Sequence, residues 1–416
     1  MILTDEEKSM LDGKHGWPKQ KSMEILVGLG ECFDAERLIP IRSTHLPGGA
    51  LIATGSQSGR MQFISEFADR GGTFATFADM NTTSVDTELW EYLGIPEEFV
   101  RQSNAYLAKF SQMGAQLCNT CTPYLIGHLP SFGEHVAWGE SSAIIFVNSV
   151  IGARTNREGA PSAYAAAITG RTPAYGLHLD AERHGELKIV VDAKLGGPVD
   201  FGTLGYFAGK LAGMRTPVFT GLAGPVSWDE HKLLGAATAN SGGSAMYHIV
   251  GITPEAPTEA AAFGPRAGGG IETHVFGERE LRETEQLLDK SQTPEVDIVV
   301  VGCPNASIAE ITEVAQLLEG KRVHENTQLW LFTSRPMKAY AEKMGYLKTI
   351  ESAGGKIVCE ACTATMPAGL LKKGGFKSPA TNSAKMLYYL AGRQDLNSHY
   401  GSTRRVVQSA IDGIWS

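Results

Sequence analysis

The cysteines are the residues whose type and placement most directly suggest chemistry. Two Cys-x-x-Cys pairs occur, Cys118 with Cys121 and Cys359 with Cys362, and Cys303 lies in a Gly-Cys-Pro-Asn turn. The two pairs are much too far apart in the chain for the spacing of a zinc ribbon. Thiolates without neighbouring histidines fit an iron–sulfur cluster at least as well as zinc. Three such thiolates would leave one iron site open to act as a Lewis acid.

Charged and hydroxyl side chains supply further candidates. Glu140 and Ser141 precede a short apolar run, and Arg154 and Arg157 follow it. Arginines so placed could clamp a substrate carboxylate through paired hydrogen bonds. A solvated charged turn fits the same local sequence. Lys385, taken alone, is typical of an exposed lysine on a helix.

The elements that must position these residues follow an alternating pattern of short β-rich runs and amphipathic helices. The clearest unit joins strands at 296–301, 328–333 and 356–359 through helices at 307–320 and 334–354. A βαβαβ order of this kind indicates a parallel sheet. We therefore predict an α/β fold made of several units with mainly parallel sheets.

Earlier in the chain, the apolar runs at 143–147 and 187–191 are predicted to be buried strands. The most loop-like stretch, residues 252–270, is rich in proline and glycine. We place a domain boundary near residue 290, which divides the chain into regions 1–290 and 291–416.

Five of the six cysteines fall at the predicted carboxyl ends of strands or just beyond them. Ligands of open α/β sheets bind at that edge. A single cysteine in such a place is commonly a small buried hydrophobic residue. Because three separate turns share the feature, the pattern favours a functional site.

Composition excludes several classes of protein. The 416 residues carry a net charge of −8 with no basic run, which disfavours a nucleic-acid partner. No stretch approaches the length of an apolar membrane span, and no secretory signal is visible at the N-terminus. Six cysteines are too few for a disulfide scaffold, so we expect a cytoplasmic protein in a reducing compartment.

Five segments resemble the large subunit of the aconitase X family, in the family's order and over nearly the full chain. They are Thr120–Tyr124, Gly139–Ala143, Asn148–Gly159, Gly302–Pro304 and Thr381–Lys385. The resemblance implies a hydro-lyase with the core domains of the aconitase superfamily and an iron–sulfur cofactor. It also implies a heterodimer, since the chain lacks the swivelling small domain that some members carry and others receive as a separate small subunit.

The resemblance further implies roles for individual residues. The implied cluster ligands are Cys121, Cys303 and Cys362, so region 1–290 would carry the first ligand and region 291–416 the other two. The third lies in a Glu-Ala-Cys turn where the family has Asp-Thr-Cys. The implied catalytic residues are Lys385, Glu140 and Ser141. The implied substrate contacts, to which we add Arg154 for the carboxylate, are Gly48, Gly49, Ala50, Asn81 and Thr82.

Two dehydrations are known in this family, of cis-3-hydroxy-L-proline and of mevalonate 5-phosphate. The mevalonate-phosphate branch typically has Gly-Val-Ser and Asn-Pro where this chain has Gly48-Gly49-Ala50 and Asn81-Thr82. We therefore expect dehydration of cis-3-hydroxy-L-proline to Δ1-pyrroline-2-carboxylate, with Glu140 pairing with the ring ammonium. Mevalonate 5-phosphate dehydration and a non-catalytic iron- or redox-sensing role are the alternatives.

Overall fold

The computed structural model describes residues 1–48 and 57–416, without the side chains of residues 57, 58 and 60. The strands of the described residues are β1 (Leu38–Pro40), β2 (Ser43–Leu46), β3 (Phe77–Met80), β4 (Ala137–Trp138), β5 (Arg171–Pro173), β6 (Leu187–Val191), β7 (Pro217–Thr220), β8 (His248–Ile249), β9 (Thr273–Phe276), β10 (Ile298–Val301), β11 (Gln328–Thr333), β12 (Lys356–Cys359), β13 (Pro379–Thr381) and β14 (His399–Tyr400).

The α-helices of the same residues are α1 (Asp5–Leu11), α2 (Trp17–Cys32), α3 (Gln57–Asp69), α4 (Glu97–Gln112), α5 (Ser141–Phe146), α6 (Ala160–Thr169), α7 (Pro198–Ala212), α8 (Trp228–Ser241), α9 (Glu259–Phe263), α10 (Glu278–Leu288), α11 (Ile308–Leu318), α12 (Arg335–Lys343), α13 (Tyr346–Ser352), α14 (Leu370–Lys373), α15 (Ala384–Gln394) and α16 (Thr403–Asp412).

Three parallel sheets organise the chain. Their strand orders are β3-β2-β4, β8-β7-β6-β9 and β12-β11-β10-β13-β14. Strands β1 and β5 form a separate antiparallel pair. The predicted α/β architecture with mainly parallel sheets is confirmed.

The largest sheet is buried on both faces, which explains the continuous apolar run of its central strand. All four residues of β10 are buried. Val299 and Val301 pack with residues of α11 and α16, whereas Ile298 and Val300 pack with Trp330 and with side chains from α14 and α15. A strand covered on both faces needs apolar side chains at every position rather than at alternate ones.

Several predicted elements are confirmed. Strands β6, β11 and β12 occupy 187–191, 328–333 and 356–359, as the sequence predicts. Ser307 caps α11: its hydroxyl accepts from the Glu310 N–H, and the Glu310 carboxylate accepts from the Ser307 N–H.

Two predicted elements differ in the structure. The helix predicted over 334–354 is divided into α12 and α13 at Gly345, whose φ of 83° ends the first helix. The prediction of a strand over 143–147 is wrong: residues 143–146 belong to helix α5, and Val147 begins the π-helical turn Val147–Ile151 that continues it. Each residue of this run is buried, so no polar face marked the helical period.

Helices α7 and α8 pack with unusually close backbones. A Cβ on Gly205 would clash with the carbonyl oxygen of Leu234, and one on Gly209 would clash with Ser241. No helix among residues 1–48 and 57–416 is long and apolar enough to cross a membrane. The domain boundary near 290 stays a prediction; it falls between α10 and β10.

Candidate active site

A cavity of about 280 Å³ lies between the three-stranded and the five-stranded sheets, and we call it the cysteine cleft. Its lining residues are Pro47, Gly48, Asn81, Thr82, Cys121, Gly139, Glu140, Ser141, Cys303, Cys362, Ala364, Thr365, Lys385 and Tyr389. Nine of the predicted site residues therefore meet in one place.

The lining residues follow the carboxyl ends of parallel strands. Gly48 comes after β2, Asn81 after β3, Glu140 after β4, Cys303 after β10 and Cys362 after β12. Parallel strands of one sheet end at the same edge, so the turns that follow them lie close together at that edge. Lys385 lies in the first turn of α15, just after β13.

The turn that carries Cys121 differs from the prediction. Cys118 and Cys121 follow an isolated bridge between Asp79 and Gln116 instead of a strand, and a short 3-10 helix over Pro123–Ile126 comes next. Among the described residues, only this one bridged pair joins the segment before Cys118 to strand β3, which is less pairing than a strand requires.

The three thiols implied as ligands, those of Cys121, Cys303 and Cys362, are held in different electrostatic states. A hydrogen bond from Cys303 lowers the pKa of Cys362 to about 7, and its backbone partner Ala364 acts in the same direction. The same hydrogen bond, together with burial, raises the pKa of Cys303 well above its usual value. Burial raises the pKa of Cys121 to about 12. Cys362 is therefore the thiol that most readily becomes a thiolate in the chain alone.

The remaining cysteines lie outside the cleft. Cys118 lies 3.6 Å from Asp79 Oδ2, and Cys359 is buried at the end of β12. Cys32 is exposed at the end of α2. This placement leaves Cys121, Cys303 and Cys362 as the cysteines that line the cleft among the described residues.

A buried ion pair forms one wall of the cleft. Lys385 Nζ donates to Glu140 Oε1 at 2.6 Å, to Ser142 Oγ at 2.5 Å and to Ser141 Oγ at 3.3 Å. Glu140 also caps α5, since its Oε2 accepts from the Ala143 N–H at 2.7 Å. The lysine is thus held by the carboxylate and hydroxyls at the start of the helix that was mistaken for a strand.

Each member of this pair favours the charged form of the other. Burial acts to lower the pKa of Lys385, but the attraction of Glu140, together with that of Tyr389, Cys303 and Cys121, outweighs it and the pKa is raised well above its usual value. Burial acts to raise the pKa of Glu140, but Lys385 and the Ala143 N–H lower it overall. Both groups are charged at neutral pH.

Not every predicted site residue reaches the cleft. Arg154 does not line it, because its guanidinium lies 2.5 Å from Asp180 Oδ1 and donates to the carbonyl of His178 at 3.3 Å. The structure therefore does not bring Arg154 together with the other predicted site residues, and its role in binding the substrate carboxylate stays a prediction. Gly49 and Ala50 lie outside the described residues.

Sequence reasoning missed Asn305, Tyr389 and Thr365. The Lys385 ammonium lies 6.0 Å from the ring centre of Tyr389. It acts to lower the pKa of that phenol, but burial and the nearby sulfur atoms raise it to about 12. Thr365 hydrogen-bonds to the carbonyl of Thr83. Asn305 carried a local signal, since it closes the turn that begins at Cys303.

Comparison with known proteins places these features in a family. The family models described as aconitase X first, second and third domains match residues 1–181, 185–286 and 296–412. The chain belongs to the aconitase X family.

Aconitase X relatives match the chain over nearly its whole length. The phosphomevalonate dehydratase large subunit of Methanocaldococcus jannaschii is 40% identical, with 94% of this chain and 95% of the relative covered. The cis-3-hydroxy-L-proline dehydratase of Pseudomonas aeruginosa is 33% identical, with 98% of this chain and 69% of the relative covered. The holo-form crystal structure of Thermococcus kodakaraensis aconitase X superposes with a TM-score of 0.88 at 35% identity, covering 99% of this chain and 100% of that one.

Both named relatives are dehydratases, and this aconitase X chain is accordingly a hydro-lyase. The finding favours an enzyme over the non-catalytic sensing role. Residues from the first and third matched domains face each other across the cysteine cleft.

Proposed function

We propose that this hydro-lyase dehydrates cis-3-hydroxy-L-proline to Δ1-pyrroline-2-carboxylate. The observation that carries the proposal is the charge balance of the cysteine cleft. Among the described residues that line it, Lys385 is the one cation and Glu140 the one carboxylate. Hydroxyproline is a zwitterion with a carboxylate and a ring ammonium, so a cleft with one charge of each sign matches it.

An iron–sulfur cluster is the second part of the proposal, with Cys121, Cys303 and Cys362 as its ligands. No three His, Cys, Asp or Glu side chains of the described residues surround a single ion. Three thiols that line one cleft, without a histidine among its described lining residues, fit a cluster of several irons. When bound, such a cluster supplies a Lewis acid that assists the departure of hydroxide.

The chain's own residues orient the substrate and manage its charges. The Lys385 ammonium would bind the substrate carboxylate, which stabilises negative charge that develops when the neighbouring Cα proton is removed. Glu140 would bind the ring ammonium, and Ser141 would donate to a polar substituent. Loss of the Cα proton and of hydroxide from C3 gives an enamine, which tautomerises to the cyclic imine.

A small subunit completes the proposed enzyme. The relatives of similar length are named large subunits. The cis-3-hydroxy-L-proline dehydratases are longer, and this chain covers 69% of each. The additional length of those relatives would correspond to a second polypeptide that closes the cleft here.

Mevalonate 5-phosphate is the second candidate substrate. The named phosphomevalonate dehydratases reach 40% and 38% identity, against 33% and 31% for the hydroxyproline enzymes. A phosphate dianion would need donors beyond Lys385, and the neighbouring segment 49–56 lies outside the described residues.

The deciding experiment assays the two-subunit enzyme, reconstituted with iron and sulfide without oxygen, on each substrate in turn. We expect pyrroline-2-carboxylate from cis-3-hydroxy-L-proline and no product from mevalonate 5-phosphate. The opposite result would replace the substrate and leave the hydro-lyase class intact. The large subunit alone is the matched control, and full turnover by it would contradict the need for a partner.

A further inference from the structure

Asn305 joins two of the turns that carry cleft cysteines. It is 1% exposed and follows Cys303 by two residues. Its backbone N–H donates to Cys121 Sγ at 3.2 Å, and its side-chain Oδ1 accepts from the Cys121 N–H at 3.1 Å. The same Oδ1 accepts from the Thr120 hydroxyl at 3.0 Å. One residue thus fixes both the sulfur and the backbone of a cysteine far away in sequence.

A buried lysine contacts the backbone carbonyl of Asn305. Lys232 Nζ lies 3.4 Å from the Asn305 carbonyl oxygen and contacts Glu310 and Asp229. The Ser307 hydroxyl donates to the other Asp229 oxygen at 2.7 Å. Two carboxylates around a fully buried ammonium form a rigid, charge-assisted anchor.

The three matched domains of the family meet at this position. Cys121 belongs to the first, Lys232 to the second and Asn305 to the third. The position of Cys121 relative to Cys303 therefore depends on how the domains pack. Asn305 is the residue of the third domain that contacts the Cys121 sulfur directly.

We propose that Asn305 is a positioning residue for Cys121, whose side-chain oxygen holds this thiol at the cluster-binding wall of the cleft. The proposal rests on the proposed function, since it assumes that Cys121 is a ligand. Asn305 is not expected to touch the substrate. Its effect is on the placement of the sulfur, and through it on how firmly the cluster is held.

The variants separate the side-chain oxygen from general destabilisation. Asn305→Ala removes the acceptor for the Cys121 N–H and for Thr120, while its backbone N–H remains. Asn305→Asp keeps an acceptor oxygen in the same place. Asn148→Ala is the matched control, because Asn148 is also a buried amide, hydrogen-bonded to the backbone of Thr155 and Ala245 and to Arg183, but it does not line the cleft.

Two readouts test the variants. In the cluster-free chain, the rate at which iodoacetamide labels Cys121 is followed by mass spectrometry. In the reconstituted chain, the rate at which an iron chelator removes the visible cluster absorbance is measured below the unfolding temperature of every variant. We expect Asn305→Ala to raise both rates about tenfold, in line with the 10- to 100-fold losses seen when groups supporting metal ligands are removed.

Asn305→Asp should restore the labelling rate of Cys121 and give the cluster a more negative reduction potential, because it places a carboxylate near the sulfur. Asn148→Ala should leave both rates unchanged. Unchanged rates in Asn305→Ala, beside a wild-type chain that holds a cluster, would overturn the positioning role. Failure of Asn305→Asp to restore labelling would overturn the role of the acceptor oxygen. A wild-type chain that takes up no cluster would instead contradict the proposed function, and the labelling comparison would still decide whether Asn305 places Cys121.

Discussion

Lys385 and Glu140 form an ion pair across 245 residues of sequence, with 2.6 Å between Nζ and Oε1. Their side chains are only 5% and 8% exposed. Burying two charges is costly, and the cost is offset only when each finds its partner and further hydrogen bonds. Here the Ser142 hydroxyl and the Ala143 N–H supply those bonds. The pair therefore links the two sides of the cleft and also keeps a cation and an anion ready for substrate.

Removing the lysine should cost both stability and activity. Lys385→Met leaves Glu140 buried without a cation, and we expect the free energy of unfolding to fall by about 3–5 kcal/mol. Turnover should fall at least tenfold to a hundredfold, since a charge-assisted bond to substrate is lost. Urea unfolding and steady-state kinetics measure the two effects.

The double variant Lys385→Met/Glu140→Gln is the control for this pair. It removes both charges, so it should regain most of the lost stability while staying inactive. If the single and double variants unfold at the same urea concentration, the unpaired Glu140 carboxylate is not the cause of the lost stability.

The cysteines divide into two groups that substitution should distinguish. Replacing Cys121, Cys303 or Cys362 by serine should abolish the brown colour of anaerobically purified protein, because a hydroxyl is a poor ligand for iron in a cluster. Cys118→Ser and Cys359→Ser are matched controls outside the cleft and should keep the visible absorbance and iron content. Loss of the cluster in either control would show that the ligands are wrongly assigned.

An element of the fold could be predicted from the sequence where its own residues carry a pattern that distinguishes helix from strand. The strand β10 and the helix after it can be recognised without a distant partner, because β10 is itself an apolar run and Ser307 caps the helix that follows. Local propensity and tertiary structure agree there, so the βαβαβ unit was correct. Helix α5 failed because it is buried on all sides, which removes the polar face that distinguishes a helix from a strand.

The site was predictable in its chemistry but not in its pairings. Cysteines after strands indicated the edge at which a ligand binds. The resemblance supplied Glu140 and Lys385, but no local signal showed that they bind each other. The local sequence around Arg154 likewise gave no sign that its guanidinium contacts Asp180 instead of lining the cleft. Such contacts depend on how distant segments pack, which spacing along the chain does not encode.

Asp86 should be important for the turn that carries Cys362. Its carboxylate is fully buried and accepts from the Cys359 N–H at 2.7 Å, from the Glu88 N–H at 2.8 Å and from Arg335 at 2.7 Å. Arg335 also donates to the Glu360 carboxylate at 3.1 Å, and Glu360, next to Cys359, has a φ of 63°, a left-handed conformation that is unfavourable for glutamate.

Asp86→Ala removes the side-chain acceptor of the Cys359 and Glu88 N–H groups and one of the carboxylates around Arg335, and we expect a loss of about 2–4 kcal/mol in the free energy of unfolding. The control is Glu88→Ala, which removes an exposed carboxylate that also pairs with Arg335 and should cost less than about 1 kcal/mol. Equal effects of the two substitutions in urea unfolding would contradict the importance of burial at Asp86.

Buried neutral histidines should make the fold sensitive to acid. Burial lowers the pKa of His178 to about 3 and that of His231 to about 4, against 6.5 for the ordinary side chain. Above pH 6.5 both states of the chain hold these rings neutral, so they contribute no pH dependence. As the pH falls from 6.5 towards the pKa of each ring in the fold, about 3 for His178 and about 4 for His231, the unfolded chain takes up protons that the fold excludes, so stability falls by about 1.4 kcal/mol per pH unit for each ring.

His178→Gln removes one of these rings. The measured quantity is the change in the free energy of unfolding with pH, not the stability at one pH. The difference in the free energy of unfolding between pH 6.5 and pH 4.5 should shrink by about 2 kcal/mol, because one fewer proton is bound on unfolding. His15→Gln, at an exposed histidine, is the matched control and should keep the wild-type slope. Burial also lowers the pKa of His231, so adding a His231 substitution should flatten the curve further. An unchanged slope in His178→Gln would mean that this ring is protonated as readily in the fold as in the unfolded chain.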